Sequence, residues 1–295
     1  MSNNNQECDN KINVPDAGQP IVFFIVATLI FGYIRYTQNT IPIDIEFFNN
    51  PTNIENIGKN NLITILIYVM LLIIGNYFIN LNISKEICGG NIQWFATFLI
   101  TVLPWVLMFV TMIIILNMFP GWLSPFSNTI GYIFSNLTGL NDLMDEILRP
   151  QSEVETGTDL SQNKDEALIQ YNLNQIYGDK SLLINEISTD NFEIFWSRFE
   201  KAQLLNTKKI AEESSKNNIF LKNELFNYIV FKNTIAEVIW YILTGILVTS
   251  VSYNYMVNNA CKRSAKQMED THNAYLQLQE KLNKNNSNHT KYTVG

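Results

Sequence analysis

The chain has 295 residues, a formal net charge of −7 and 47% hydrophobic residues. Its apolar residues lie in a few blocks between strongly polar segments, and 13 Gly and 8 Pro in no fixed period exclude a collagen-like or low-complexity chain. No basic face interleaved with aromatic residues occurs, so we expect no nucleic acid among its partners. The three cysteines are too scattered to predict a disulfide framework or a zinc site.

The first apolar block follows a polar tail over residues 1–19 and predicts a transmembrane helix over residues 20–36. Its Leu, Ile, Val and Phe residues favour membrane insertion by about 4 kcal/mol in total. Arg35 near its end is expected to extend to the lipid headgroups. The block therefore predicts an uncleaved membrane anchor.

A polar connector over residues 37–61 precedes a second predicted span over residues 62–80. The alternating sequence IPIDIEF in the connector is compatible with a short strand. Within the span, Asn76 either bonds to a neighbouring helix through its amide or lies near the interface. Both interpretations keep the span in the membrane.

The third and most hydrophobic span is predicted over residues 94–119, after a turn over residues 81–93 that makes an antiparallel hairpin with the second span. As a helix it would be about 39 Å long, more than the roughly 30 Å of hydrocarbon in a bilayer. Pro104 should kink it. Trp94 and Trp122 bracket it as residues typical of the membrane interface.

A turn and a short amphipathic helix are predicted over residues 120–140. Pro120 and Gly121 should turn the chain, and Ser124 should cap the new helix. Apolar residues recur on one side and small or polar residues on the other: Phe126, Ile130, Ile133, Phe134 and Leu137 against Ser127, Asn128, Gly131 and Ser135. We expect this helix to lie in the membrane surface, with packing onto the following polar segment as the alternative.

Residues 141–234 predict a small, mainly helical polar domain, with a disordered loop over residues 151–164. Asp190 and Glu193 have the spacing of a capping box at the start of its clearest helix. An aromatic stripe with helical spacing follows: Phe192, Phe195, Trp196 and Phe199. Such a stripe is typical of a domain core, and a ligand site is the less favoured interpretation.

The fourth span is predicted over residues 235–256, at the end of one long helix that begins near Ile219. Glu237, the acidic residue in this span, is expected to reach the headgroups from the span's edge. A polar basic tail over residues 257–295 follows. Its juxtamembrane basic residues, Lys262, Arg263 and Lys266, favour the cytoplasmic side for both termini.

No catalytic or metal-binding motif occurs in the sequence. The two histidines, His272 and His289, both lie in the polar tail, which leaves the predicted spans without a histidine base or ligand. We therefore predict that the protein is not an enzyme and needs no cofactor or metal. A channel or transporter is the alternative, with inward candidates at Asn76, Thr101, Thr111, Thr244, Thr249 and Ser250.

The sequence NMFPGWLSPFSNTIGY, residues 117–132, carries a family resemblance. Together with the span before it, over Trp94 to Phe134, it resembles the multi-pass, minor capsid-associated virion membrane proteins of the nucleocytoplasmic large DNA viruses. The resemblance implies a structural role, in which the protein lies in the lipid membrane beneath an icosahedral shell and holds membrane and capsid together. It supplies no catalytic residues.

The sequence thus predicts an all-α integral membrane protein with four transmembrane helices, an interfacial amphipathic helix, and a polar helical domain between the third and fourth spans. The expected partners are the lipid bilayer and other virion membrane or capsid proteins, and association of several copies stays open. The expected locations are the internal membrane of the virion and, during assembly, host-derived membrane.

Overall fold

The computed structural model describes residues 18–42, 48, 51–88, 92–150, 175, 177–202, 204–206, 215–259, 272–273 and 275–282, with backbone alone for 51–60, 215–219 and 259. This part of the chain contains no strand, and four of its helices are long and apolar enough to cross a membrane. The prediction of an all-α integral membrane protein with four spans is therefore confirmed.

Eight helices build the bundle and the domain, besides the 3₁₀ turn Pro120–Leu123 and a helical stretch over residues 275–282. They are α1 (Gly18–Asn39), α2 (Pro51–Ile87), α3 (Trp94–Met118), α4 (successive stretches Ser124–Phe126, Ser127–Gly131 and Tyr132–Leu137), α5 (Leu140–Ile147), α6 (Lys180–Ile184), α7 (Phe192–Lys201) and α8 (Ser215–Asn259). The candidate spans are Gly18–Asn39, Asn61–Ile87, Trp94–Met118 and Phe220–Asn258. Helix α2 begins about three turns before its apolar part, inside the segment predicted as a connector.

Helix α3 changes its winding at the proline that predicted a kink. Regular α-helix ends at Pro104 and continues as a π-helix over Trp105–Val110 before α-helix resumes at Thr111. Proline lacks the N–H that an α-helical turn needs, so the ladder of hydrogen bonds is interrupted there. The wider turn places Trp105 and Phe109 in the centre of the bundle, where both are buried.

Glycines bring α1 close to α2 and to α8. A Cβ atom on Gly245 of α8 would lie 2.0 Å from the Phe24 ring of α1, and one on Gly75 of α2 would lie 2.1 Å from the Phe23 ring. These contacts leave no room for a larger side chain. Small residues at such positions are the usual way in which membrane helices approach, because lipid supplies no hydrophobic drive between them.

The bundle has an apolar exterior, as a lipid-facing surface requires. Its exposed large hydrophobic residues include Val22, Leu29 and Ile30 of α1, Leu66, Ile67 and Met70 of α2, and Phe95, Leu103 and Leu107 of α3. Successive contacts show that α2 and α3 are antiparallel, since Asn80 bonds to Thr101 while Tyr68 lies against Phe109. The predicted hairpin is confirmed, but its turn is shorter than the predicted 81–93, because α2 continues to Ile87.

The polar domain has a separate core built from α5, α6, α7 and the first half of α8. Phe192, Trp196 and Phe199 of the predicted aromatic stripe are buried in it, so their interpretation as core is confirmed. The capping box is wrong, because Ser188 and Asn191 make the reciprocal bonds instead. In these bonds the Asn191 Oδ1 accepts from the Ser188 N–H at 2.8 Å, two residues upstream of the predicted cap.

Helix α8 belongs to both the domain and the bundle. Leu225 and Ile229 are buried in the domain core, whereas Tyr241 and Val248 are buried in the bundle core. A straight helix of 45 residues is about 68 Å long. The predicted long helix is confirmed, and it joins the two cores without a break.

Some predictions fall on residues outside the described part. These are the tail over 1–17, most of the IPIDIEF strand, the loop over 151–164 and the basic residues Lys262, Arg263 and Lys266. Cys88 is disulfide-bonded, which the scattered cysteines of the sequence do not predict.

Candidate functional site

The predicted interface residues lie at both ends of α3. Trp94 at its start and Trp122 after its end are 58% and 53% exposed. Pro120 and Gly121 begin an exposed 3₁₀ turn, Pro120–Leu123, directly after the span. Ser124 does not cap the next helix, because the helical backbone already begins at Pro120 and no side-chain cap bond is present. The rings of the two tryptophans are exposed enough to contact a membrane interface.

Helix α4 packs antiparallel along α8. Phe126 lies 5.1 Å from the Trp240 ring, Ser127 donates to Asn233 at 2.8 Å, and Tyr228 donates to the Thr138 carbonyl at 2.7 Å. The partners on α8 thus fall from 240 to 228 as α4 proceeds. This face of α4 therefore packs on α8, partly within the fourth span, and not on the polar segment that directly follows it, as the alternative had it.

Helix α4 buries its small polar side chains and exposes its large apolar ones, whereas a water-soluble helix does the reverse. The face against α8 is made of Ser127, Gly131 and Ser135, all buried. The outer face is mainly apolar, with Thr129 and Asn136 also exposed: Ile130, Ile133, Phe134 and Leu137 are 37%, 56%, 50% and 77% exposed. An exposed apolar face beside a transmembrane helix suits contact with lipid, and the interfacial placement of Ile130 and Phe126 stays a prediction.

Lys232 fixes α4, α6 and α8 to one another. Its side chain is 1% exposed, and its Nζ donates to the Ile184 carbonyl at 2.9 Å and to Asn128 Oδ1 at 3.2 Å. A Cβ on Gly131 would lie 2.5 Å from the Lys232 carbonyl oxygen. Because α4 approaches α8 this closely, Asn128 of α4 lies within hydrogen-bond distance of the buried Lys232 ammonium. The sequence showed Lys232 only as a charge, without a signal for burial.

A buried ion pair joins α1 to α8. The Arg35 Nε lies 3.2 Å from Glu237 Oε2, and the two side chains are only 11% and 14% exposed. Tyr241 donates to Glu237 Oε1 at 2.6 Å. Arg35 and Glu237 therefore contact each other, which the expectation of separate extension to the headgroups did not include. Pairing offsets part of the desolvation penalty of each charge.

A cavity of about 680 Å³ opens beside this ion pair, where the bundle meets the domain. Its lining includes Arg35 and Asn39 of α1, Asn61 of α2, Leu116 of α3 and Glu237 of α8. Three buried polar atoms here have no hydrogen-bond partner among the described residues: Arg35 Nη1, Asn39 Oδ1 and Asn61 Oδ1. Unpaired buried polar atoms are uncommon, and each requires a physical reason.

Polar side chains also bond at the opposite end of the bundle. Asn80 Nδ2 donates to Thr101 Oγ1 at 2.8 Å and to Ser252 Oγ at 3.1 Å, which links α2, α3 and α8. Asn76 is buried but donates to the Leu72 carbonyl of its own helix, so the predicted bond from its amide to a neighbouring helix is not observed, while its place near the interface stays a prediction. The sequence analysis missed the role of Asn80. Asn76 and Asn80 are one helical turn apart on the same face of α2, so the helical period does not distinguish which of them bonds to a neighbouring helix.

Aromatic rings fill the bundle between these two polar ends. Phe24, Trp105, Phe109 and Tyr241 are 0–1% exposed, and neighbouring centroids lie 5.0 to 6.2 Å apart. Among the candidates for lining a pore, Asn76, Thr101 and Thr249 are buried, Thr244 and Ser250 are partly buried, and Thr111 is exposed. These polar residues are buried, but burial alone does not make a pore, because the packed aromatic rings lie between the two polar ends of the bundle.

No group of three or more His, Cys, Asp and Glu side chains that could hold a metal occurs in the described part. In the domain, hydrogen bonds from Ser181 hold the pKa of the Asp179 carboxyl below its usual value. Burial raises the pKa of the Tyr177 hydroxyl, which donates to the Arg149 carbonyl at 2.7 Å. Both groups act as structural anchors for their loops.

Comparison of the chain with protein-family models, curated proteins and solved structures finds no match. The site is therefore interpreted from its own geometry.

Proposed function

We propose that the chain is a non-enzymatic structural protein that anchors the internal membrane of a large DNA virus particle to its capsid. The proposal combines the sequence resemblance over residues 94–134 with one structural observation, the continuity of α8 between bundle and domain. A tether must transmit force from lipid to protein without an intervening hinge. A single 45-residue helix with side chains buried in both cores meets that requirement.

The connector after α1 strengthens the same junction. Asn227 of α8 donates to the Ile41 carbonyl at 2.9 Å and accepts from the Ile41 N–H at 2.8 Å. Asn223 donates to the Pro42 carbonyl at 2.8 Å. Two elements leaving the membrane, α1 and α8, are thereby fastened side by side at the base of the domain. Tilting the domain would require breaking these bonds.

Purified virus particles provide the test of this proposal. We expect the chain to be present in the particles and to dissolve with the lipid in mild detergent. In particles depleted of the chain, we expect the shell to detach from the membrane. Absence of the chain from particles, or normal attachment of membrane to shell in its absence, would refute the anchoring role.

A small channel or transporter subunit is the second candidate function, because several polar side chains are buried in the bundle. The tightly packed aromatic rings between the two polar ends favour the anchor over the pore. Reconstitution of the chain into liposomes distinguishes the candidates. An anchor should leave the vesicles tight to ions, and a specific ion flux above that of empty vesicles would support the channel.

A further inference from the structure

We propose that the cavity at the bundle–domain junction binds a phospholipid whose headgroup is zwitterionic and carries a primary amine, as phosphatidylethanolamine does. The inference goes beyond the anchoring role, since it names a lipid class that this chain selects. It rests on the three unpartnered polar atoms, the charges of the lining and an adjoining apolar groove.

The unpartnered atoms each expose less than 1 Å², so a ligand in the cavity contacts them once the ends of their side chains turn toward it, and they then define its chemistry. Arg35 Nη1 is a donor, and it calls for an anionic acceptor such as a phosphate oxygen. Asn39 Oδ1 and Asn61 Oδ1 are acceptors, and they call for an N–H or O–H donor. Arg35 and Asn39 are one turn apart on α1, on the same face of the helix. A phosphate and an amine joined by two carbons can therefore belong to one headgroup that contacts both side chains.

The charges around the cavity favour an overall neutral headgroup. Arg35 is its one cationic lining residue in the described part, and three carboxylates, those of Glu237, Asp190 and Glu193, also line it. Glu237 pairs with Arg35, and Glu193 pairs with Lys222 at 2.8 Å. A lipid with net negative charge would meet excess carboxylate, whereas an ammonium group is attracted by it.

Hydrogen bonding separates the two common zwitterionic headgroups. A primary ammonium has three N–H donors and can satisfy both asparagine carbonyls at once. A trimethylammonium group has none, so it would leave these buried acceptors unpaired at a cost in free energy. The site should therefore prefer ethanolamine over choline headgroups, although both carry the same charge.

An apolar groove of about 290 Å³ lies next to the cavity along α3 and can take part of an acyl chain. It follows α3 from Leu107 to Leu116 and is also lined by Trp122 and Trp240. Leu116 lines both the groove and the cavity. Headgroup and chain of a single lipid can thus occupy the two spaces from the membrane side.

Native mass spectrometry of the full chain tests the proposal. The chain is released from mixed micelles that contain equal amounts of phosphatidylethanolamine, its mono- and dimethyl derivatives, phosphatidylcholine and phosphatidylglycerol with identical acyl chains. We expect at least tenfold more bound phosphatidylethanolamine than phosphatidylcholine or phosphatidylglycerol, falling with each added methyl group. Equal retention of all lipids, or preference for phosphatidylglycerol, would overturn the proposal. This result comes from the wild-type chain alone and does not depend on the folding of a variant.

Two variants locate the site. Asn39→Leu combined with Asn61→Leu removes both free acceptors and should abolish the tenfold preference. Asn76→Leu removes a buried, unpartnered amide oxygen elsewhere in the bundle and should leave the preference unchanged. Preference that survives the double substitution, or is lost equally in the control, would refute this location. Glycerophosphoethanolamine should compete weakly, and full displacement by it would show a soluble headgroup compound, rather than a lipid, to be the ligand.

Discussion

The bundle and the domain differ in which side chains they bury and which they expose. In the domain, aromatic residues such as Phe192 and Trp196 are buried, whereas Glu193 and Lys201 lie toward solvent. In the bundle, large apolar residues such as Leu66 and Leu107 face outward, and polar residues such as Asn80 are buried. The difference follows from the surrounding medium, because only in water does burial of apolar surface drive association.

The comparison shows which interactions must hold each region together. The domain depends on the apolar area that it removes from water, and so on the volume of its buried side chains. The bundle depends on close fit, on glycine contacts and on a few polar bonds between helices. Helix α4 is the transition between these regimes, since its packed face is small and polar while its outer face is apolar.

The largest expected effect is loss of the buried charge pair. Glu237→Ala leaves Arg35 buried without its partner, and we expect it to lower the free energy of unfolding by about 3–5 kcal/mol. Replacing both residues, Arg35→Met with Glu237→Leu, should restore most of that loss. Thermal unfolding in one lipid mixture measures both. A single variant as stable as wild type would show that the pair contributes nothing.

Truncation of a side chain in the domain core should lower the free energy of unfolding by a similar amount, but the loss should be confined to the domain. Trp196→Ala removes a ring that is 4% exposed, at an expected cost of about 3–5 kcal/mol. Ile194→Ala on the same helix, where the side chain is 57% exposed, should change stability by less than about 0.5 kcal/mol. Limited proteolysis should cut the domain of the first variant and spare its bundle. Equal behaviour of both variants would contradict the assigned core.

A branched side chain at the α4–α8 contact should have an intermediate effect. Gly131→Val must displace the Lys232 carbonyl, so we expect a loss of about 1–3 kcal/mol and faster hydrogen exchange in α4. Gly121→Val is the matched control, because no atom beyond its own stretch of chain lies within 4 Å of its Cβ position. If hydrogen exchange in α4 were unchanged in the first variant, the close packing on α8 would be disproved.

The smallest expected effect concerns the polar contacts at the opposite end of the bundle. Asn80→Leu removes the bonds to Thr101 and Ser252, and buried polar bonds in membrane bundles contribute about 0.6 kcal/mol on average. Thr111→Val, at an exposed position on α3, serves as its control. Unfolding in detergent measures the difference. A loss as large as that of Glu237→Ala would mean that these polar bonds stabilise the bundle as much as the buried ion pair does.

The spans and the aromatic core were predictable from the sequence, because both depend on local composition and period. Long apolar blocks identify the spans, and Phe192, Trp196 and Phe199 repeat with helical spacing. The pairing of Arg35 with Glu237 was not predictable, because 202 residues separate them and no local pattern encodes their contact. The burial of Lys232 and the cavity escaped prediction for the same reason. Both arise from the packing of distant helices.

Crosslinking mass spectrometry on intact virus particles tests the central claim most directly. Lys201 is exposed on the domain, at the end of α7, and provides an amine for the crosslinker. The anchoring account predicts crosslinks from Lys201 to a protein of the capsid shell, and their loss when the shell is detached before crosslinking. Crosslinks from Lys201 to membrane proteins alone, with none to a shell protein, would contradict it.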